Sequence, residues 1–171
     1  MMEIQQMSTH YEVKRLSEEN IPEILRLCQG NRSYYELCPP LVDETSLKAD
    51  MQALPPNKTQ EEKNYIGFYH HQGLAALMDW ISGYPEEKTV FIGFFMLERT
   101  MQGQGMGSAI ITECCDYFKT LRFQKIQLGV IQGNQAAVQF WQKNQFLIKG
   151  EKRVQQYDAV ILMERTIAEN C

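Results

Sequence analysis

The stretch that decides the fold is Leu97-Glu98-Arg99-Thr100-Met101-Gln102-Gly103-Gln104-Gly105-Met106-Gly107-Ser108. The unbroken apolar segment before it, residues 90–97, predicts a buried β-strand. After the glycines, apolar residues recur at helical spacing on one face, which predicts an amphipathic helix. These apolar positions are Ile110, Ile111, Cys114, Cys115, Phe118 and Leu121.

A glycine loop between a strand and a helix predicts a site for phosphate groups. Glycine lets the main chain turn sharply and brings its N–H groups close to a ligand. The first turn of a helix adds unpaired N–H donors and a partial positive charge. Phosphate or diphosphate is therefore the expected ligand.

Two common phosphate loops do not match this pattern. A Walker A loop requires Gly-Lys-Ser/Thr, and no lysine lies between Gly103 and Ser108. A dinucleotide fingerprint requires a third glycine or alanine at the position of Ser108 and an acid about 20 residues on. The next predicted strand, residues 126–131, is instead followed by Gln-Gly-Asn.

A third pattern, Q/R-x-x-G-x-G/A, is matched by Gln102, Gly105 and Gly107. This spacing resembles the acyl-CoA loop of the GNAT superfamily of N-acetyltransferases. A second stretch, residues 134–146, resembles the superfamily's N-x-x-A-x-x-F/L-Y-x-x-x-G-F helix. Its matching positions are Asn134, Ala137, Phe140, Trp141 and Phe146. The resemblance covers roughly residues 11–165.

The whole chain predicts a mixed α/β architecture in one domain, residues 1–171, with a core at about 11–165. The expected order is β-α-α-β-β-β-α-β-α-β-β. Strands are predicted near residues 11–14 and at 65–69, 74–81, 90–97, 125–131, 147–149 and 157–164, with a first helix at about 20–29. The resemblance implies a twisted mixed sheet of about seven strands with helices on both faces.

Composition is that of an ordinary globular protein, with 171 residues, 44% hydrophobic and 22% charged. The net charge of −4 argues against nucleic acid as a partner and weakly favours cationic substrates such as amines. The sequence has no apolar run of 18 residues and no leader pattern, so neither a membrane nor secretion is expected. Five cysteines without metal-ligand spacing indicate a reduced, cytoplasmic protein with no metal.

The resemblance implies acetyl-CoA as co-substrate. Its pantetheine arm is expected in a gap between the fourth and fifth strands, paired with main chain near Leu97, and its diphosphate on the glycine loop. The cofactor-binding residues implied are Leu97, Gln102, Gly103, Gln104, Gly105, Met106, Gly107, Ser108, Asn134, Phe140 and Trp141.

Acetylation of an amine requires an unprotonated nucleophile, so a carboxylate is needed to help remove a proton. Glu98 ends the central strand, and Asp79 interrupts an apolar run where a buried acid needs a partner or a purpose. Glu98 is slightly favoured as base and Asp79 for substrate orientation. Structural roles for both remain open. Tyr34 and Tyr35 lie in the region that shapes the acceptor pocket in the resembled family, and packing is their alternative role.

The chain departs from the resembled pattern at two positions. Trp141 replaces the tyrosine that often protonates the departing thiolate, and an indole N–H does not serve as that acid. Tyr84 or Tyr117 is a substitute candidate. Gln145 stands where the family usually has glycine, which costs roughly 1–2 kcal/mol if that position needs a positive φ.

The leading hypothesis is an N-acetyltransferase that moves acetyl from acetyl-CoA to a primary amine of a small molecule or peptide by direct attack in a ternary complex. The rival is an acyl-CoA-binding module without turnover, suggested by Trp141. A nucleotide-dependent oxidoreductase is a third alternative. The acceptor and the oligomeric state, a homodimer included, remain open.

Overall fold

The computed structural model describes residues 2–71, 73–154 and 157–168. Its strands are β1 (Glu12–Arg15), β2 (Lys63–His70), β3 (Gly73–Ser82), β4 (Thr89–Leu97), β5 (Lys125–Ile131), β6 (Leu147–Val154) and β7 (Tyr157–Thr166). Its α-helices are α1 (Ile21–Gly30), α2 (Arg32–Leu37), α3 (Glu44–Gln52), α4 (Met106–Thr120) and α5 (Gln135–Lys143). One-turn 3₁₀ helices lie at Ile4–Met7, Glu18–Asn20, Gln60–Glu62 and Arg99–Met101.

All seven strands join one mixed sheet in the order β1-β2-β3-β4-β5-β7-β6. Strands β4 and β5 pair in parallel, and α4 forms the crossover between them. The other neighbouring strands pair antiparallel, with hairpins joining β2 to β3 and β6 to β7. The expected mixed α/β sheet of about seven strands is confirmed.

Two hydrophobic cores cover the two faces of the sheet. The larger core packs α4, α5 and the N-terminal turn Ile4–Met7 against one face. At its centre, the fully buried rings of Trp80 and Phe118 meet edge to face at 4.9 Å. The smaller core packs α1 and α3 against the other face, with Tyr34 and Tyr35 of α2 partly buried beside it. The loop-following helix is therefore amphipathic, as its sequence predicts.

A β-bulge in β4 lies where this strand separates from β5. Across β3 and β4, Asp79 pairs with Phe94 and Trp80 pairs with Ile92, so Gly93 is the extra residue. Pairing of β4 with β5 runs only from Thr89 to Ile92, although β4 continues to Leu97. The sheet therefore opens a gap between these two strands from Gly93 onwards.

A short N-terminal segment is fastened to α4 by one carboxylate. Glu113 accepts hydrogen bonds from the Ser8 hydroxyl, from the Thr9 N–H at 2.9 Å and from the Thr9 hydroxyl at 2.7 Å. It also lies 2.9 Å from His10 Nδ1. These bonds hold the turn that buries Ile4 and Met7 against the larger core.

Three local differences from the sequence expectations concern helix and strand ends. The helix α2 was not expected, because six residues between Asn31 and a Pro-Pro pair show no continuous apolar stripe. The first helix, α1, ends at Gly30, one residue beyond its predicted end at about 29. The edge strand β6 extends beyond 149 to Val154 because an edge tolerates polar residues. Gln72, between the strands predicted at 65–69 and 74–81, and Cys171 lie outside the described residues.

Candidate active site

The gap between β4 and β5 presents main-chain groups that no strand of the sheet uses. The Glu98 N–H donates to Ala75 O at 2.7 Å, and Leu97 lies opposite Ala76. Antiparallel pairs alternate between hydrogen-bonded and non-hydrogen-bonded, so Leu97 and Phe95 belong to the non-hydrogen-bonded class. Their N–H and C=O groups therefore point away from β3 and into the gap.

One of these groups, the Leu97 carbonyl, is already occupied. It accepts a hydrogen bond from Asn31 Nδ2 at 3.2 Å and another from Gln102 Nε2 at 2.9 Å. A carbonyl oxygen has two lone pairs, so this acceptor is saturated. The expected pairing site near Leu97 is thereby reduced to its N–H and to the main-chain groups of Phe95.

The glycine loop begins the helix α4 in the expected way. Gly103 has φ +75° and Gly105, the N-cap residue, has φ +80°, which are left-handed conformations that favour glycine. A Cβ atom at either position would meet no atom within 4 Å, so the loop borders open space. The N–H groups of Met106 and Ser108 in the first turn have no helical acceptor.

Gly107 has a different role from the two loop glycines. A Cβ atom there would lie 3.1 Å from a ring carbon of Phe140. The Phe140 ring stacks on Phe95 at 6.1 Å, and Trp141 lies 6.0 Å from the same Phe95 ring. The absence of a side chain at Gly107 therefore lets the aromatic residues of α5 cover one face of the gap.

Three other side chains expected to bind the cofactor form hydrogen bonds within the protein. Asn134 caps α5, since its Oδ1 accepts from the Ala137 N–H at 3.1 Å. Gln104 Nε2 donates to Thr100 O at 3.0 Å. Ser108 Oγ accepts from Asn144 Nδ2 at 3.1 Å, which joins the start of α4 to the end of α5.

Three aromatic rings line the sheet face opposite α4 and α5. Tyr34 and Tyr35 meet edge to face at 4.9 Å, and Tyr34 meets Phe94 of β4 at 5.8 Å. The Tyr35 hydroxyl shares a hydrogen bond with the buried Cys28 thiol. Burial is the largest cause of the raised pKa of Tyr35, and this hydrogen bond is the second. Tyr34 thus reaches the strand that borders the gap, and Tyr35 packs beside it.

Asp79 lies on this same face, beside the bulge. Its Oδ2 accepts from Lys63 Nζ at 2.9 Å and would lie 3.3 Å from a Cβ on Gly93. Its Oδ1 is buried and has no hydrogen-bond partner. Burial raises the pKa of the Asp79 carboxyl, whereas the Lys63 ammonium opposes that shift. The buried acid therefore has a partner, Lys63, and one free oxygen.

Glu98 is the N-cap of the 3₁₀ turn Arg99–Met101. Its carboxylate accepts from the Thr100 N–H at 2.8 Å and from the Thr100 hydroxyl. It also lines a cavity of about 380 Å³ together with residues of the β2–β3 hairpin and Met106. Glu98 thus lies near the glycine loop, and its carboxylate caps the turn that leads into this loop.

The two tyrosines considered as proton donors lie in different parts of the molecule. Tyr84 packs edge to face on Phe91 at 5.5 Å, near the start of β4. Tyr117 is in the last turns of α4, roughly 16 Å along the helix from its start. Its buried hydroxyl has no hydrogen-bond partner and it lines a separate cavity with Arg15.

Two residues at the site were missed by sequence reasoning. Lys63 is a single lysine before a strand, and only the register of β2 against β3 brings it to Asp79. Because a buried carboxylate needs a partner, Asp79 was the signal in the sequence that a group such as Lys63 lies nearby. Asn31 lies in a polar stretch with Arg32 and Ser33, and nothing in its sequence neighbourhood indicates its contact with Leu97, 66 positions later.

Metal ligation and membrane insertion find no support among the described residues. Within residues 2–71, 73–154 and 157–168, no group of three or more His, Cys, Asp or Glu side chains is arranged to hold a metal ion. His70 and His71 instead stack at 3.8 Å at the hairpin. Among the described helices, none has the length and hydropathy needed to span a bilayer.

The parallel strands β4 and β5 separate beside a glycine loop and a helix start, which is the arrangement that the resemblance to acyl-CoA N-acetyltransferases implies. The model of the acetyltransferase (GNAT) family matches residues 29–146. The chain belongs to the GNAT acetyltransferase family, whose members use acetyl-CoA as co-substrate. Among curated proteins, no sequence matches this chain.

Solved structures share the fold at low sequence identity. An acetyltransferase from Thermus thermophilus superimposes with a TM-score of 0.75 at 17% identity, over 90% of this chain and 95% of that one. A Salmonella typhimurium acetyl transferase that modifies the N-terminal serine of ribosomal protein L7/L12 has a TM-score of 0.75 at 16% identity, over 95% and 98%. The ribosomal-protein-S18-alanine N-acetyltransferase of Escherichia coli has a TM-score of 0.68 at 15% identity, over 93% and 95%.

Proposed function

We propose that this protein transfers the acetyl group of acetyl-CoA to a primary amine of a small molecule or peptide, by direct attack while both substrates are bound. The observation that carries the proposal is the gap between β4 and β5. There the main-chain groups of Phe95 and the N–H of Leu97 have no strand to pair with. A linear ligand that carries amide groups can add to such an edge as a short strand does.

The residues around the gap fit acetyl-CoA, which supplies the acetyl group already activated as a thioester. Gly103 and Gly105 leave open space over main-chain N–H groups at the positive end of α4, which suits a diphosphate. The aromatic face made by Phe95, Phe140 and Trp141 suits the apolar part of the arm. The residues proposed to hold acetyl-CoA are Phe95, Leu97, Gln102, Gly103, Gln104, Gly105, Met106, Gly107, Ser108, Asn134, Phe140 and Trp141.

An amine acceptor agrees with the chemistry of the opposite sheet face. Tyr34, Tyr35 and Phe94 offer aromatic rings to a cation, and Asp79 offers a carboxylate. Solved neighbours named for an N-terminal serine of a ribosomal protein and for spermidine act on amines. These observations support an amine without selecting between a peptide and a small molecule.

Direct attack is supported by the state of the cysteines. Cys114 and Cys115 are buried in the larger core, and burial raises the pKa of both thiols. A thiol is nucleophilic only as its thiolate, so these side chains are poor acyl carriers. The thiols of Cys28, Cys114 and Cys115 form no disulfide, which also fits a reducing compartment such as the cytoplasm.

For removal of the amine proton, we favour Asp79 over Glu98. Asp79 lies beside Gly93, where the gap begins, and on the face that carries Tyr34. The Glu98 carboxylate already accepts hydrogen bonds from the Thr100 N–H and hydroxyl, so it is less available to an incoming amine. Asp79 acts directly or through a water molecule, and Glu98 remains the second candidate.

Trp141 leaves protonation of the departing thiolate to another group or to solvent. Its ring packs against Phe95 and Phe146 and has no acidic proton to give. Tyr84 is the candidate in this chain, since it packs on Phe91, two positions before Gly93. The rival proposal, an acyl-CoA-binding module without turnover, applies if no group of this protein protonates the thiolate.

The experiment that tests the proposal measures two quantities on the wild-type protein. Calorimetry gives the Kd for acetyl-CoA, and a thiol reagent measures release of free CoA with a panel of polyamines, amino acids and peptides. Saturable binding and amine-dependent thiol release are expected. Binding without release for every amine would favour the rival, and failure to bind acetyl-CoA would remove the proposal.

A matched pair of variants tests where acetyl-CoA binds. Gly105→Trp is expected to abolish binding, because its side chain fills the open space above the loop. Gly150→Trp is the control, since Gly150 also has a positive φ, +155°, and open surroundings but lies on the edge strand β6. Equal affinity of the two variants would contradict the loop assignment.

A further inference from the structure

Asn31 joins α1 and α2, the helices of the acceptor side, to the edge of the gap. It lies between the two helices and is only 5% exposed. Its Nδ2 donates to Leu27 O in α1 at 3.0 Å and to Leu97 O at the end of β4 at 3.2 Å. Its own carbonyl accepts from the Tyr34 N–H at 3.1 Å, so the same residue begins α2.

The Asn31 side chain also contacts the glycine loop. Its Oδ1 accepts from Gln102 Nε2 at 2.6 Å, and the same Gln102 nitrogen donates to Leu97 O at 2.9 Å. Asn31, Gln102 and the Leu97 carbonyl therefore form a closed triangle of hydrogen bonds. This triangle connects the acceptor-side helices, the central strand and the acetyl-CoA loop.

We propose that Asn31 is a positioning residue that holds Gln102 and the end of β4 in the geometry that acetyl-CoA requires. The inference rests on the proposed function of the gap. Because Asn31 also begins α2, which carries Tyr34 and Tyr35, it connects the two substrate sites through one buried side chain.

The side chain has to be an amide for this role. Leu97 O and Leu27 O require donors, while Gln102 Nε2 requires an acceptor, and an amide provides both kinds of group. An aspartate offers acceptors only, so its carboxylate would face the Leu97 carbonyl oxygen. Alanine offers neither and leaves the Leu27 carbonyl without its side-chain donor.

The test measures the Kd for acetyl-CoA by calorimetry in Asn31→Ala, Gln102→Ala and the double variant. Each single change is expected to weaken binding about tenfold, the cost of losing one connected set of buried hydrogen bonds. The double variant is expected to lose no more than either single variant, because both changes break the same triangle. Losses that multiply to about a hundredfold would show independent roles and overturn the proposal.

Further variants separate positioning from stability. Asn31→Asp keeps the size of the side chain and is expected to weaken acetyl-CoA binding as Asn31→Ala does. Asn64→Ala is the control, since Asn64 is also buried, at 2% exposure, and donates to Glu62 O away from the gap. It is expected to lower Tm and leave the Kd unchanged. If Asn31→Ala unfolds, Asn31→Asp replaces it in the comparison with Gln102→Ala, because it keeps the size of the side chain.

The outcomes distinguish this inference from the proposed function. A wild-type protein that does not bind acetyl-CoA would end both. A wild-type protein that binds acetyl-CoA, with variants of Asn31 and Gln102 within twofold of its Kd, would overturn only the role of Asn31. A KM for the amine that rises in Asn31→Ala but not in Asn64→Ala is expected from the link to α2.

Discussion

The Lys63 ammonium lies 2.9 Å from Asp79 Oδ2, with 3% of the lysine side chain and 14% of the aspartate side chain exposed. Lys63 also donates to Ala53 O, just after α3, at 2.8 Å. The pair thus connects strands β2 and β3 to the end of α3, on the sheet face that carries Phe94. Because both charges are buried, removal of either one leaves the other without a partner of opposite sign.

Removing one member of this pair is expected to cost more than removing both charges. Lys63→Met leaves an uncompensated carboxylate in a buried site, so we expect a loss of about 3–5 kcal/mol. Adding Asp79→Asn removes that charge and is expected to restore part of the loss. Urea unfolding of the two single variants and the double variant measures this. Strictly additive losses would contradict the coupling.

The pH dependence of acetyl transfer identifies the base. A base works when deprotonated, so activity falls as pH drops through its pKa. Burial raises the pKa of Asp79 and Lys63 opposes the shift, so Lys63→Met is expected to move the acidic limb of kcat/KM to higher pH. Glu98→Gln is expected to leave the limb in place. Loss of the limb in Glu98→Gln would assign the base to Glu98 instead.

Glu113 makes stability depend on pH below the usual range of glutamate. Burial acts to raise its pKa, but hydrogen bonds from Ser8, Thr9 and His10 outweigh burial and lower the pKa from 4.5 to about 2. A pKa lower in the folded state gives stability that is complete above pH 4.5 and lost as pH falls towards 2. Discounted for solvent screening at this partly exposed carboxylate, the shift corresponds to about 2–3 kcal/mol.

Glu113→Gln is therefore expected to lower the free energy of unfolding by about 2–3 kcal/mol at pH 7, and by much less at pH 2. Urea unfolding at the two pH values provides the measurement. Asp116→Asn on the same helix is the control, because its pair with Lys119 is exposed and contributes about 0.5 kcal/mol or less. A difference for Glu113→Gln that does not shrink at low pH would contradict the assigned cause.

Gln145 carries a backbone strain that glycine would relieve. It has φ +68°, in the left-handed region, directly after the end of α5. Gln145→Gly is expected to stabilise the protein by roughly 1 kcal/mol, because glycine adopts this conformation without a Cβ conflict. Gln142→Gly, inside α5, is expected to destabilise by about 1 kcal/mol. Thermal unfolding of both variants checks the sign, and a destabilised Gln145→Gly would contradict it.

Sequence patterns were informative where local chemistry decides the structure. The strand β5 was predicted with both of its ends, since alternating apolar residues stop at Gln132-Gly133-Asn134. The glycine loop and the helix that follows it were predicted from residue types and spacing. Asn134 was expected at the cofactor, and its capping of α5 was not predicted. At Gln145 the resembled family usually has glycine, and the backbone there keeps the positive φ that glycine favours.

The features that sequence reasoning missed depend on contacts between distant residues. Asn31 and Lys63 acquire their partners only when helices dock and strands pair in register. The bulge at Gly93 was likewise hidden, because a glycine in an apolar run does not say whether it is paired. Each of these requires knowledge of which strand lies beside which.

The aromatic wall of the gap has a practical consequence for spectroscopy. The chain contains two tryptophans. Trp80 is fully enclosed behind Phe118, whereas Trp141 touches Phe95, whose main chain faces the gap. Intrinsic emission thus comes from one tryptophan in the interior and one beside the gap, so a ligand that enters between the diverging strands is expected to change the emission of Trp141 and leave that of Trp80 unchanged.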